Sequence, residues 1–197
     1  MNTRQQIIDA TERIIQAKGI ARATTKEIAR EAGYAEGTLY KHFESKEDLF
    51  LSALQQHLPS FIEALGESVA GQGTPRANLE QIAQAAIDYY DRLIPLATAF
   101  FADADLLVRY RQALAQANAG PQRTHERVAC YIEEEQRLGR IDKGLEPFYI
   151  AALLLGSCFQ YAFIRHFVGT QPFTMSDEQF VAGTVQALLA GITPCQG

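Results

Sequence analysis

Apolar residues along this chain recur at three- and four-residue spacing, and no alternating pattern of period two persists anywhere. Such a pattern predicts an all-helical protein. Ile7, Ala10, Ile14 and Ile15 form one inward stripe, so a first helix is expected from Thr3 to Lys18, with Thr3 and Gln6 as a capping box and Gly19 as the stop. Ile28, Ala29 and Ala32 mark a second helix, opened by Thr24 and Glu27 and closed by Gly33. Leu39 and Phe43 share a face of a third, expected from Glu36 to Phe43. Ser45 and Asp48 cap a fourth, whose stripe is Leu49, Phe50, Ala53 and Leu54, and Pro59 is expected to kink or interrupt it. The loop Gly71-Gln72-Gly73-Thr74 breaks the pattern. Thr74-Pro75 then opens a fifth helix reaching about Leu93, and Pro95 is expected to open a sixth, with Asp103 as a possible restart. A seventh runs from Pro121 to Leu138 and stops at Gly139. An eighth, from Glu146 to Val168, is apolar almost all round and should be buried on several sides, and Ser176 with Gln179 caps a ninth that runs to about Ala190.

The most specific stretch is TTKEIAREAGYAEGTLYKHFESK, residues 24–46. Two short helices joined by a tight Gly-containing turn make a helix-turn-helix, and the second is the right size to lie in a DNA major groove. The run T-x-x-E-I-A-x-x-A-G-x-x-x-G-T-L-Y-x-H-F-x-S-K-x-x-L resembles the DNA-binding region of the TetR (tetracycline-repressor-like) transcriptional regulators, closely over about residues 5–55. Beyond residue 60 the likeness is architectural only. The resemblance implies a homodimeric repressor that a small molecule releases from DNA. Carried over residue by residue, it implies phosphate contacts for Thr25, Tyr40, His42 and Lys46. Lys26 and Tyr34, Ala35, Glu36, Gly37 and Thr38 match positions that approach base edges, and Lys41 lies on the same short helix. Glu36 departs from the family's usual Lys, Arg, Ser or Gln. It either accepts from a cytosine amino group or is a first-turn acid favoured by the helix dipole. Tyr34 is bulkier than the family's common Val and is expected to probe a base or sugar.

Charge sharpens this picture. The net charge of −5 lies wholly in the body: residues 1–57 hold eight Lys/Arg and eight Asp/Glu, against ten and fifteen in residues 58–197. A neutral head predicts weaker non-specific DNA affinity than a strongly basic one. Three cysteines match no disulfide or zinc pattern, and Cys130 and Cys158 read as buried small hydrophobes, whereas Cys195 reads as an exposed thiol. No signal-peptide core is present, and the apolar run Phe148 to Phe163 falls short of a membrane span, so a cytoplasmic protein with no membrane partner is expected.

In the resembling family, helices five to seven enclose an inducer pocket. Phe61, Tyr89, Tyr90, Arg92, Phe100, Phe101, Tyr110, His125 and Tyr131 are the candidates here, for an unidentified, small, largely apolar or aromatic ligand. Family members pair two helices from each subunit. The corresponding dimer face would be Ala152, Gly156, Phe159 and Phe163 on helix eight with Phe180, Thr184, Ala187 and Leu188 on helix nine. Plain core packing is the competing reading for both sets. Enzymatic chemistry finds no support: Glu133-Glu134-Glu135 occupies successive helix faces and reads as solvated surface, the four histidines lack metal spacing, and no cofactor motif occurs. The expected architecture is a three-helix DNA-binding head, residues 1–46, on a helical ligand-binding and dimerisation body, residues 47–197, with about nine helices. The expected function is a homodimeric, ligand-released repressor of a palindromic operator in double-stranded DNA. An activator with the same head, or a helical interaction module without DNA binding, are the alternatives.

Overall fold

The computed structural model describes residues 2–55, 70–102, 104–116, 120–169 and 172–192. Among them all regular structure is helical, as nine α-helices and one short 3-10 turn. The helices are α1 (Thr3–Lys18), α2 (Thr25–Ala32), α3 (Glu36–Leu39), α4 (Lys46–Gln55), α5 (Pro75–Ala102), α6 (Ala104–Gln116), α7 (Pro121–Arg137), α8 (Pro147–Val168) and α9 (Asp177–Ile192). The chain divides into two compact units, Met1–Pro59 with Arg92–Ala119, and Ser60–Asp91 with Gly120–Gly197.

In the first unit, Ile7, Ile8, Ala10 and Ile15 of α1 meet Ile28 and Ala29 of α2, Leu39 of α3, and Leu49, Phe50 and Ala53 of α4 in one buried cluster. Complete burial of an Ile or Leu side chain contributes about 1.5–3 kcal/mol, so this cluster holds three short helices that would not form alone. Leu93, Leu107 and Tyr110 pack against the same core, and Arg109 of α6 pairs with Glu47 of α4 at 3.3 Å. The α1 cap is Asn2, whose side chain accepts from the Arg4 amide, and not the expected Thr3 with Gln6. Thr3 already has helical backbone, so the residue before it takes the capping place. Thr24 caps α2 as expected: its Oγ1 accepts from the Glu27 amide at 3.2 Å and donates to the Glu27 carboxylate at 3.1 Å.

In the second unit, α7 and α9 pack on α8. The buried face of α8 is Ile150, Ala151, Leu154, Leu155, Cys158, Tyr161 and Ala162. Arg165 draws three helices together, donating to Asp91 of α5 at 2.8 Å and to Asp177 of α9 at 2.6 Å over the Tyr161 ring. Burial raises the Asp91 carboxyl above its usual range despite the pull of Arg165 and His166. Both Ser176 and Gln179 make the expected reciprocal cap of α9.

Four expectations are corrected. Pro95 lies inside α5 and does not open a new helix, because it removes only the amide that would bond the Asp91 carbonyl while Ile94 stays buried. Cys130 is exposed, on the outer side of α7, and only Cys158 of the two is buried. Helix α8 is not enclosed on several sides: Tyr149, Leu153, Phe159, Phe163 and Phe167 stand in solvent along it. At 22 residues it is long and apolar enough to cross a membrane, yet the face opposite this stripe is packed into its unit. Lastly, Glu135 is not solvated surface. Consecutive residues turn about 100° around a helix, so one of three acids points inward. Its carboxylate is fully buried, bonded to the Arg140 guanidinium at 2.6 and 3.0 Å and to the Gly71 amide at 3.3 Å. Arg140 also donates to the Gln72 and Gly73 carbonyls, so this pair clamps the loop before α5.

Removing one partner of a buried ion pair strands the other, which costs about 3–5 kcal/mol. Arg140→Ala is therefore expected to lower the unfolding free energy extrapolated from urea titration by that order, while an exposed control such as Arg123→Ala changes it little. The same unit is expected to lose stability in alkali. Burial raises the Tyr90 and Tyr131 phenols above the ordinary 10.0 and pushes the Cys158 thiol up to about 12. Their folded pKa values are raised, so the stability they contribute is complete below the unfolded values and is lost as pH rises through the folded ones. Thermal midpoints should fall from about pH 9 upward, and Tyr131→Phe should flatten that fall.

Candidate nucleic-acid interface

Helix α2 ends where Gly33 enters the left-handed region, φ 79° and ψ 24°. The Gly33 amide bonds the Arg30 carbonyl and the Tyr34 amide bonds Ala29 at 2.8 Å, a Schellman closure. The turn then launches α3 from the extended Ala35. Its α-helical part is one turn, Glu36–Leu39, shorter than expected. The chain continues through tighter three-residue bonds, Lys41 amide to Thr38 carbonyl and His42 amide to Leu39 carbonyl, which tuck Phe43 into the core.

These turns present most of the expected contact residues on the outside. Lys26, Ala35, Glu36, Gly37, Tyr40, Lys41 and His42 are exposed, and Thr25, Thr38 and Lys46 half-buried. Tyr40 is 54% exposed, so its ring is not part of the core. Gly37 faces open space where a side chain would stand. Lys46, in the first turn of α4, lies over the Phe50 ring at 5.1 Å. Tyr34 is held differently. Its ring packs against the head core and its hydroxyl donates to Gln6 Oε1 at 2.6 Å, as suits the residue after a Schellman glycine.

The charges sort themselves by pairing. Arg13 pairs with Glu31 at 2.9 Å and Lys18 with Glu27 at 2.6 Å, joining α1 to α2. Lys18 holds the Glu27 carboxyl below its usual range. Glu47 is engaged by Arg109. Lys26 and Lys41 form no ion pair among the described residues, so a head of zero net charge still offers uncompensated cations near α3. Glu36, in the first turn of α3, is an exposed acid. Its Oε1 accepts from the Thr25 hydroxyl at 2.5 Å, a bond across the turn that the sequence did not signal.

The ligand-pocket candidates are scattered between the units. In the first, Tyr110 packs on the head core and burial raises its phenol, Arg92 is exposed, and Phe101 is 76% exposed. In the second, Tyr89 and Tyr90 contact one another at 5.5 Å, Tyr90 meets Phe159 edge-on at 5.4 Å, and Tyr131 is buried. His125 Nδ1 donates to the Pro121 carbonyl at 3.1 Å, and its ring lies 6.1 Å from Phe148. Phe61 lies outside the described residues, as does the side chain of Phe100. Of the dimer-face candidates, Gly156, Phe159, Phe163 and Ala187 are exposed, and Ala152, Phe180, Thr184 and Leu188 half-buried, Phe180 being stacked on Tyr161 at 4.0 Å. No group of three His, Cys, Asp or Glu that could hold a metal occurs among the described residues.

A compact helix-turn-helix with cations and a bare glycine on its outer helix has the form of a DNA-binding head. Residues 7–53 match the family model described as bacterial regulatory proteins, tetR family. A solved TetR-family transcriptional regulator from Mesorhizobium loti shares 25% identity, with 98% of this chain and 97% of that chain covered at a TM-score of 0.77. FadR from Bacillus subtilis, solved in complex with stearoyl-CoA, superposes at a TM-score of 0.72 with 21% identity, covering 95% of this chain and 98% of that one. The fatty acid metabolism regulator protein of Bacillus subtilis is 35% identical over 74 residues, which is 38% of this chain and 38% of that protein's length. Residues 7–53 are therefore similar to the tetR-family DNA-binding region, and the whole chain has the fold of the TetR-family regulator from Mesorhizobium loti.

Loss of one buried-side hydrogen bond costs about 1 kcal/mol. Tyr34→Phe should therefore lower the thermal midpoint of the head by a few degrees through Gln6, and leave the salt dependence of DNA binding unchanged.

Proposed function

We propose that the chain is a sequence-specific repressor that binds a palindromic operator in duplex DNA as a homodimer and is released by a small-molecule inducer. The observation that carries this reading is the outer face of the turn and α3, where Lys26, Lys41, His42 and the 54%-exposed Tyr40 stand unpaired around an open Gly37. Phosphate contacts from Tyr40, His42 and Lys46 would fix register on the duplex, and Ala35, Glu36, Gly37 and Thr38 would lie nearest the base edges. One head reads only a few base pairs, so a second copy is needed for specificity. The exposed stripe of α8 supports that second copy: Tyr149 is 68% and Phe167 79% exposed, with Phe159, Phe163 and Phe167 stacked in a ladder at 6.1 and 5.7 Å. Apolar faces of this extent mark interaction surfaces. With Gly156 and Ala187 admitting close approach, α8 and α9 would pair with their copies.

The stearoyl-CoA held by the Bacillus subtilis FadR supports a small-molecule effector with an apolar portion for this chain. Such an effector needs only unequal affinity for the DNA-bound and free forms. Coupling of about 1–3 kcal/mol changes DNA affinity roughly 5- to 150-fold. The protein acts in the cytoplasm, where the operator is.

Selection of bound duplexes from a random-sequence library is expected to recover a palindrome, and no enrichment even at low salt would reject the reading. Lys46→Ala should weaken binding to all sequences and reduce the slope of log affinity against log salt by about one. Phe163→Asp should yield a monomer by sedimentation and lose operator binding. A dimer retained in that variant would move the interface elsewhere.

A further inference from the structure

Thr25 and Glu36 are linked by the shortest hydrogen bond of the head, 2.5 Å from the hydroxyl to Oε1. Thr25 is half-buried at the start of α2, Glu36 is exposed in the first turn of α3, and eleven residues of chain separate them. A threonine hydroxyl has one proton to donate. Spent on Glu36, it is not available to a phosphate. What the bond does instead is fix a carboxylate that would otherwise rotate freely in solvent. Its second oxygen, Oε2, has no hydrogen bond, and no cation pairs with Glu36 among the described residues. Glu27, the first-turn acid of α2, is also held by a threonine, but Lys18 neutralises it, whereas the fixed carboxylate of Glu36 keeps its charge unpaired and turned to solvent.

Resting on the DNA-binding reading above, we infer that Glu36 is a base-specificity residue that selects cytosine in each half-site, and that Thr25 is its positioning residue. A carboxylate can only accept, so it needs a base that donates in the major groove. Guanine shows acceptors at N7 and O6 and thymine one at O4, and both repel it. Adenine offers its N6 amino group, but with the N7 acceptor beside it. Cytosine offers the N4 amino group with only a C–H on that side. Cytosine is thus the base a held carboxylate prefers, with adenine second. The same negative charge lowers affinity for every phosphate nearby, so Glu36 trades general attraction for discrimination.

The experiment is selection from a random duplex library with the full-length wild type, Glu36→Gln, Glu36→Ala, Thr25→Val and Thr25→Ser, each checked for an unchanged thermal midpoint. The wild type should return a palindrome with cytosine at one position per half-site, and replacing that base should weaken binding about tenfold. Glu36→Gln should move that position alone toward adenine, which an amide can both accept from and donate to. Thr25→Val should flatten preference at the same position while Thr25→Ser keeps it. If the wild type and both Glu36 variants return one motif, Glu36 reads no base and the inference falls while the regulator reading stands. If Thr25→Val weakens all sequences equally with the base profile intact, Thr25 holds phosphate and its positioning role falls. If the wild type enriches nothing, the DNA-binding reading fails and this inference fails with it. Should Glu36→Gln prove unfolded, Glu36→Ala decides alone: a relaxed position supports base reading and an unchanged one rejects it.

Discussion

The head depends on one backbone constraint, the left-handed Gly33. At φ 79° a residue with a Cβ is strained, and the crossing of α2 and α3 is set there. The two closing bonds, to Arg30 and Ala29, leave the chain one direction to take, and Tyr34 seals it by packing on the core and bonding Gln6 of α1. Given that crossing, Leu39 and Phe43 fall into the core and Gly37, Tyr40 and Lys41 fall outside. It also brings Thr25 within 2.5 Å of Glu36. A four-residue helix has almost no stability of its own, so its orientation is inherited from the turn and from the burial of Leu39.

Electrostatics follow the same logic of placement over sum. Eight cations and eight acids in the first 57 residues cancel in total but not in space. Glu27 and Glu31 are drawn to α1 by Lys18 and Arg13, and Glu47 to α6 by Arg109. Exposed pairs of this kind contribute little stability, about 0–1 kcal/mol each. Their larger effect is to neutralise those acids, which leaves Lys26 and Lys41 as uncompensated cations whose field reaches about a Debye length into solvent.

Helix placement was legible in the sequence because its signals are local. The Thr24, Ser45 and Ser176 caps and the Gly19, Gly33 and Gly139 stops act within four residues, and each is where the pattern put it. What misled was context at longer range. Pro95 looks like a helix start until the packing of Ile94 is known. Glu135 looks like surface until Arg140, five residues on, and the Gly71 amide, sixty-four residues back, are seen to satisfy it. The apolar circumference of α8 says that the helix avoids water, but not that Tyr149, Leu153, Phe159, Phe163 and Phe167 stay exposed on one face of it. At the interface, the residue types in residues 34–42 were readable from the motif. The hydroxyl–carboxylate bond that joins Thr25 to Glu36 was not, since neither residue type at an eleven-residue separation predicts it.

A regulator must leave non-specific DNA as readily as it holds its operator. Strongly basic heads bind everywhere, and their specificity is a small difference between two large affinities. Here the head carries no net charge, and the outer face includes a fixed acid. On the proposed reading general attraction would therefore be weak, and a larger share of the binding energy would come from contacts that depend on sequence. Weak contacts become sufficient when two heads act together, because the second binds at the high local concentration that the first creates. The exposed aromatic ladder of α8 and the near-neutral head thus answer one requirement. A copy joined through that ladder would supply by avidity what each head lacks in charge, and discrimination at each half-site would be multiplied and not diluted.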